Sequence, residues 1–176
     1  MSADLGVYGT GGVINLHGNS QSVTLYSGEC IVNIDDQKSV YIYDEGFGRT
    51  TLNIGEHSDV TINASLLDEE VTGYAFAEDA VLRFISGGVD YDIIGYDNII
   101  EAYVGSTFSI YGSGNRVNGE LISTANGGSD YASVTVTSTG VLVQALAAIS
   151  TPSWDSQNSA FGGEAASWLA THLGSP

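Results

Sequence analysis

The sequence predicts an all-β chain wound as a parallel β-helix, a β-solenoid of about seven short rungs with a C-terminal capping helix. Three observations predict it. An apolar-Asn-apolar phrase comes three times near the start, as Ile14-Asn15-Leu16, Val32-Asn33-Ile34 and Leu52-Asn53-Ile54. Each copy is followed by a polar corner and a second apolar strand: Val23-Thr24-Leu25-Tyr26, Val40-Tyr41-Ile42-Tyr43 and Val60-Thr61-Ile62-Asn63. The composition fits, with 23 Gly, 2 Pro and only 14% charged residues. Gly supplies the positive-φ corners that many short strands demand.

Taken in order, the glycine-rich stretch from Gly6 to Gly12 reads as a turn. The repeats then begin. Equivalent apolar positions at Leu16, Ile34, Ile54, Phe76, Ile94, Ile110 and Val136 lie roughly 20 residues apart, which suits one rung holding two strands. Second strands start at Val23, Val40, Val60, Val81, Ile99, Val117 and Val141. A single rung of such strands cannot bury its apolar side chains, whereas rungs stacked about 4.8 Å apart can. Alternation points Val23, Leu25, Val40, Ile42, Val60 and Ile62 inward and Thr24, Tyr41 and Thr61 outward. The corners His17-Gly18-Asn19-Ser20, Asp35-Asp36-Gln37-Lys38 and Gly55-Glu56-His57-Ser58 are polar and turn-forming. An antiparallel sandwich or barrel also spaces short strands regularly. The recurrence of one phrase at about twice the single-strand spacing favours the solenoid.

The solenoid domain spans residues 1–146, and residues 147–176 form a C-terminal loop and short helix. Gln144 to Ile149 is apolar and suits a last strand or a short helix, closed by Pro152. Gly163 to Gly174 carries a Glu in its first turn, an apolar face of Ala165, Trp168, Leu169 and Leu173, and Gly174 as a stop. Such a helix would cover the open last rung, or serve as a docking tail.

Charge narrows the function. Against 4 Lys+Arg stand 21 Asp+Glu, a net charge of −17. That excludes phosphate-backbone partners, which need Lys and Arg to release counterions, and disfavours anionic membrane surfaces. Nucleic acid and membrane insertion are therefore not expected, and no apolar run reaches the length of about 18 residues that a span needs. Cation binding, or solubility of a secreted chain, fits the acidity. Cys30 is the only cysteine, so neither an intramolecular disulfide nor a cysteine-based zinc site can form. The opening Met1-Ser2-Ala3-Asp4-Leu5-Gly6 lacks the features of a cleaved secretory signal. Export would then use another route, or the chain is a segment of something longer.

The stretch Gly87-Gly88-Val89-Asp90-Tyr91-Asp92-Ile93-Ile94 matches a glycine-pair, fixed-Asp, large-apolar pattern at Gly87, Gly88, Asp92 and Ile94. It resembles one copy of the calcium-binding nonapeptide of secreted RTX proteins, with Asp90 where that pattern has a third glycine. The resemblance implies a calcium-stabilised secretion module, with Asp90, Asp92 and Asp97 as oxygen ligands that suit Ca²⁺. The alternative is a turn with solvated carboxylates, and no cofactor is then required. More broadly, the rhythm of residues 13–143, with Gly112-Ser113-Gly114-Asn115-Arg116-Val117-Asn118-Gly119 among its clearest words, resembles the β-solenoid segments of large bacterial adhesins and RTX-type proteins. That implies placement outside the cell or on its surface, and a structural or adhesive role.

An enzymatic reading rests on carboxylate pairs, which glycosidases use across the scissile bond. Asp35-Asp36, Asp44-Glu45 and Asp68-Glu69-Glu70 fall in corners, and a carbohydrate-active enzyme would use a pair near Asp90, Asp92 or Asp97. The basic residues a polysaccharide lyase needs are few and scattered: Lys38, Arg49, Arg83 and Arg116. His17, His57 and His172 share no repeat position, and no nucleophile-elbow or Walker-type loop occurs. Tyr is common, at 10 residues. Tyr26, Tyr41, Tyr43, Tyr103 and Tyr111 form the candidate interaction surface, because an outward Tyr stacks on a sugar or a partner while its hydroxyl still hydrogen-bonds. In-register stacking between rungs is the other use for them. The sequence thus points to a non-enzymatic, adhesive module that associates with itself as an oligomer or filament, or with a carbohydrate or cell-surface ligand.

Overall fold

A computed structural model describes residues 4–8, 11–26, 29–45, 48–64, 71–122 and 131–146. These residues hold, in chain order, strands β1 (Asp4–Val7), β2 (Val13–Leu16), β3 (Gln21–Leu25), β4 (Ile31–Ile34), β5 (Ser39–Asp44), β6 (Arg49–Ile54), β7 (Asp59–Asn63) and β8 (Val71–Glu78). There follow β9 (Val81–Phe84), β10 (Val89–Tyr96), β11 (Ile99–Ala102), β12 (Thr107–Tyr111), β13 (Arg116–Val117), β14 (Glu120–Leu121), β15 (Tyr131–Thr137) and β16 (Gly140–Leu146). No helix occurs among the described residues, and so none there is long and apolar enough to cross a membrane.

The chain alternates between two sheets, leaving one strand in each per turn. Odd strands from β1 to β13 pair with one another in the first sheet, and even strands from β2 to β12 in the second. All of these pairings are parallel. The result is a parallel β-solenoid of about six turns. Between the sheets lie the inward rows. In the first sheet these are Val23–Ile42–Ile62–Phe84 and Val40–Val60–Leu82–Ile100–Val117. In the second, Ile14–Val32–Leu52–Ala75–Ile93–Ile110 forms the matching row. All are buried, and each Val, Leu or Ile so removed from water contributes about 1.5–3 kcal/mol before ordering costs are counted.

The corner leading from the second sheet to the first turns through left-handed residues that are not glycine. Stacked residues Gln37, His57, Asp79 and Asp97 each adopt a left-handed backbone, at φ of 60°, 59°, 49° and 58°. Polar side chains tolerate this conformation better than β-branched ones do. Where the next stacked position holds a polar residue, at Ser58, Asn98 and Asn115, its buried side chain bridges rungs. Ser58 Oγ accepts from Lys38 N at 3.1 Å and donates to Asp35 O at 3.0 Å. Asn98 Nδ2 donates to Ala77 O at 2.8 Å, and Asn115 Nδ2 to Gly95 O at 2.9 Å. Asn98 Oδ1 and Asn115 Oδ1 accept the backbone N–H groups of Ala80 and Asn98, each at 3.1 Å. Buried backbone groups that the turn would otherwise orphan are thereby satisfied.

Three details depart from the sequence reading. The Gly6 stretch is not all turn: Asp4–Val7 is strand β1, paired with β3. Phe76 and Ile94 are not in the inward row of Leu16, Ile34 and Ile54, which continues through Ala77 and Gly95. Strands β9 and β11 do start at Val81 and Ile99 as expected, and Leu82 and Ile100 are the first inward residues on them. The seventh rung is instead an antiparallel closure, since β15 runs against β12 and turns back as β16, and β14 turns back on β13. A two-residue link, Ser138-Thr139, joins β15 to β16, far too short for the crossover that parallel neighbours require. The expected helix over residues 163–174 lies outside the described residues.

Candidate contact surfaces

The two outer faces carry the polar and aromatic side chains. On the first sheet, the row Ser22–Tyr41–Thr61–Arg83–Glu101 runs beside Thr24–Tyr43–Asn63. The Tyr8 and Tyr26 rings stack nearly parallel, 4.5 Å between centroids and 6° apart, on successive rungs. Tyr41 and Tyr43 sit 4.5 Å apart at 44°, and Asn63 Nδ2 donates to the Tyr41 hydroxyl at 3.3 Å. Tyr26 and Tyr43 keep exposed ring area. Farther along, Arg83 pairs with Asp59 and, at 2.9 Å, with Glu101, and these partners hold its guanidinium pKa above the ordinary value, Asp59 most strongly.

Of the predicted interaction surface, the structure brings Tyr26, Tyr41 and Tyr43 to one face. Tyr103 follows β11 at an exposed corner. Tyr111 is on the outer face of the second sheet, stacked on Tyr131 at 5.2 Å. Burial pushes the Tyr111 hydroxyl up to about 12, with the Asp92 charge adding to it.

On the second sheet the repeated Asn becomes an external ladder. Asn33 Nδ2 donates to Asn15 Oδ1, and Asn53 Nδ2 to Asn33 Oδ1, both at 2.7 Å. The ladder stops where the next register position is Phe76, and Asn53 Oδ1 is buried with no partner among the described residues. Arg49 bonds the Tyr74 hydroxyl and lies 4.9 Å over that ring.

The predicted metal ligands divide between two places. Asp90 and Asp92 alternate outward on β10, where Thr107 Oγ1 donates to Asp90 Oδ1 at 3.1 Å. Burial raises the Asp92 carboxyl, and a hydrogen bond from Ser109 and the Arg49 charge pull it partly back. Asp97 instead stands at the left-handed corner beyond the strand, about 16 Å along the chain from Asp92. Among the described residues no group of three acidic, His or Cys side chains is arranged to hold a metal ion.

The other acidic and His candidates are tied to neighbouring rungs. His17 Nδ1 meets Asp35 Oδ2 at 2.8 Å, and His57 Nε2 meets Asp79 Oδ2 at 3.0 Å. Asp36 Oδ1 accepts from Glu56 N at 3.0 Å. Asp44 is buried in the core, where the Tyr91 hydroxyl donates to it at 3.5 Å; desolvation, and then the Asp44 charge, raise the Tyr91 pKa strongly. The Tyr91 ring occupies the space over Gly73, where a Cβ would collide with it. Asp68, Glu69, Glu70 and His172 lie outside the described residues.

Sequence reasoning did not find Tyr8 or the Asn ladder as surface features. The ladder was legible in principle, because a polar residue between two inward apolar ones must face out. Comparison with family models, with curated proteins and with solved structures returns no match for this chain.

Proposed function

We propose that the chain is a structural, adhesive β-solenoid module of a secreted or cell-surface bacterial protein, with the outer face of its first sheet as the contact surface. The observation that carries this reading is the aromatic stripe on that face: Tyr8 on Tyr26, then Tyr41 beside Tyr43, on rungs held rigid by parallel pairing. A stiff array of part-exposed Tyr rings offers flat apolar faces flanked by hydroxyls, the chemistry that takes a sugar ring or a second protein surface. The rung-to-rung pairing of His17, His57, Asp35, Asp36 and Asp79 supports a scaffold role, because these side chains join neighbouring turns. The acidity keeps such a module dispersed outside the cell.

The test is binding of the full chain to a panel of neutral and acidic glycans and to immobilised cell surfaces. The parent protein is compared with Tyr41→Ser/Tyr43→Ser, whose fold is checked by circular dichroism. The expected result is a ligand bound by the parent and weakened at least about tenfold in the variant, as loss of two aromatic anchors implies. Equal binding by parent and variant, or no binding to any surface by the parent, rejects the reading.

A further inference from the structure

The outer face of the first sheet carries a stripe one side chain wide that crosses each of its strands from β1 to β11. Its register row begins Gly6–Thr24–Tyr43–Asn63. The ladder then continues past the strand ends. Ile85 N donates to Ile62 O at 3.0 Å and Tyr103 N to Phe84 O at 3.3 Å, so Ile85 and Tyr103 complete the row. At Gly6 a Cβ would lie 3.5 Å from the Tyr8 ring and 3.6 Å from the Tyr26 ring. The stacked pair therefore leans back over the glycine and sets its rings at the start of the stripe. Tyr8, Tyr26, Tyr43, Ile85 and Tyr103 are 78%, 44%, 37%, 36% and 61% exposed. Five strand spacings separate β1 from β11, about 24 Å.

We infer that the stripe binds an uncharged, unbranched, β-1,4-linked glycan laid along the solenoid axis, an inference that rests on the contact-surface reading above. Shape sets the class. A ligand that uses the whole stripe is straight, about one ring wide, and offers an apolar face at successive steps. A sugar chain joined through equatorial bonds has that form, because it runs extended and each pyranose ring turns C–H groups toward a neighbouring aromatic face. Its hydroxyls then meet the polar tips of the Tyr rings and the Thr24 and Asn63 side chains of the same row. Successive sugars reach successive rungs, so each ring after the first binds at a high effective concentration.

Charge and area select against the other occupants. A net charge of −17 repels an acidic glycan. The cation of the adjoining row, Arg83, is already held between Asp59 and Glu101. A protein partner fits less well. With about 200 Å² for a whole aromatic side chain, the exposed part of the stripe comes to about 500 Å², short of the roughly 800 Å² per partner that a stable interface takes. A second copy of this chain would also bring its own charge of −17 against the first.

Titration calorimetry of the full chain tests this with β-1,4-linked oligomers of glucose, N-acetylglucosamine and mannose, each from about two to about eight units long. At least one series is expected to bind, with an affinity that rises about tenfold or more from its shortest to its longest member. Tyr8→Ser and Tyr103→Ser stand at opposite ends of the stripe. Each should weaken the longest oligomer about fivefold, as loss of one aromatic contact implies, with the far-ultraviolet β-sheet signal and Tm kept. Oligomers of mannuronate, the acidic counterpart of the mannose series, should bind more weakly than the uncharged chain. Affinity that does not change with length, an end variant that binds as the parent does, or tighter binding of mannuronate overturns the inference and leaves the contact surface standing. Binding of the parent to a cell surface with no oligomer bound does the same. Binding to neither removes the contact surface itself, and the inference with it.

Discussion

Asp92 shows how a single outward carboxylate acquires a stability role. Burial of Asp92 on the outer face of the second sheet disfavours its ionised form more than Ser109 and Arg49 restore it, so its folded pKa lies above the ordinary one. The sign follows from linkage. The contribution of Asp92 is fully present below the unfolded aspartate value of about 3.9 and is lost as pH rises through the raised folded value. Asp92→Asn keeps an acceptor for Ser109 but never ionises. Denaturation curves for dilute parent and variant are expected to diverge as pH rises past that window, with the variant the more stable at neutral pH. Dilution matters because the sequence pI of about 4.1 lies close to the unfolded aspartate value. A stability difference that does not change between acid and neutral pH would show that burial is not what Asp92 contributes. The sequence offered Asp92 as an oxygen ligand. What it did not show is the desolvation, which depends on how neighbouring strands pack side chains around Asp92.

At the scale of elements, the two asparagine ladders make opposite predictions from the same chemistry. Asn98 is fully buried at the inner corner and satisfies Ala80 N, Ala77 O and Asn115 Oδ1 together. Asn98→Ala takes this side-chain partner from Ala80 N and Ala77 O, while Asn115 Oδ1 keeps the Asn98 backbone N–H, and should cost about 2–3 kcal/mol. Asn15, at the exposed end of the outer ladder, shares its bond with the part-exposed Asn33 amide, which water can take over, and Asn15→Ala should cost less than about 1 kcal/mol. Urea titration of both variants checks the contrast, and equal losses would remove the inner corner from its organising role. The outer ladder was legible as the repeated apolar-Asn-apolar phrase. The inner one was not, because the four residues at that stacked position, Ser58, Ala80, Asn98 and Asn115, are of three different types. Element order and inward alternation were read correctly up to Ile62. Register then slipped at Phe76 because β8 and β10 set two apolar residues side by side on opposite faces, Ala75 with Phe76 and Ile93 with Ile94. Alternation cannot choose between such neighbours. The terminal hairpin was misread as a rung because Val134, Val136, Val141 and Val143 alternate as parallel strands would, and only the short Ser138-Thr139 link betrays the reversal.

For the whole molecule the consequence lies at the ends of the second sheet. There β2 and β16 are the outermost strands, and neither Val13-Ile14-Asn15-Leu16 nor Gly140-Val141-Leu142-Val143-Gln144-Ala145-Leu146 carries a charge. Natural edges are commonly blunted with charge, and these are not. Two reversals of direction, at β15 and again at β16, leave β16 running the same way as β2. One copy set on top of another by translation therefore brings β16 against β2 as a parallel pair, continuing the sheet. Contact between unlike ends does not close on itself and extends as a filament. A net charge of −17 per copy opposes this, through repulsion that salt screens. Sedimentation of the full chain is accordingly expected to show species that grow with protein concentration, and grow further as salt is raised from about 0.05 to 0.5 M. Val13→Lys, at the exposed start of β2, should return the protein to a monomer at every salt concentration without lowering its melting temperature appreciably. A parent protein that stays monomeric at high concentration and high salt would leave the solenoid intact and remove end-to-end assembly from its role. Growth that persists in Val13→Lys would move the contact away from the β2 edge.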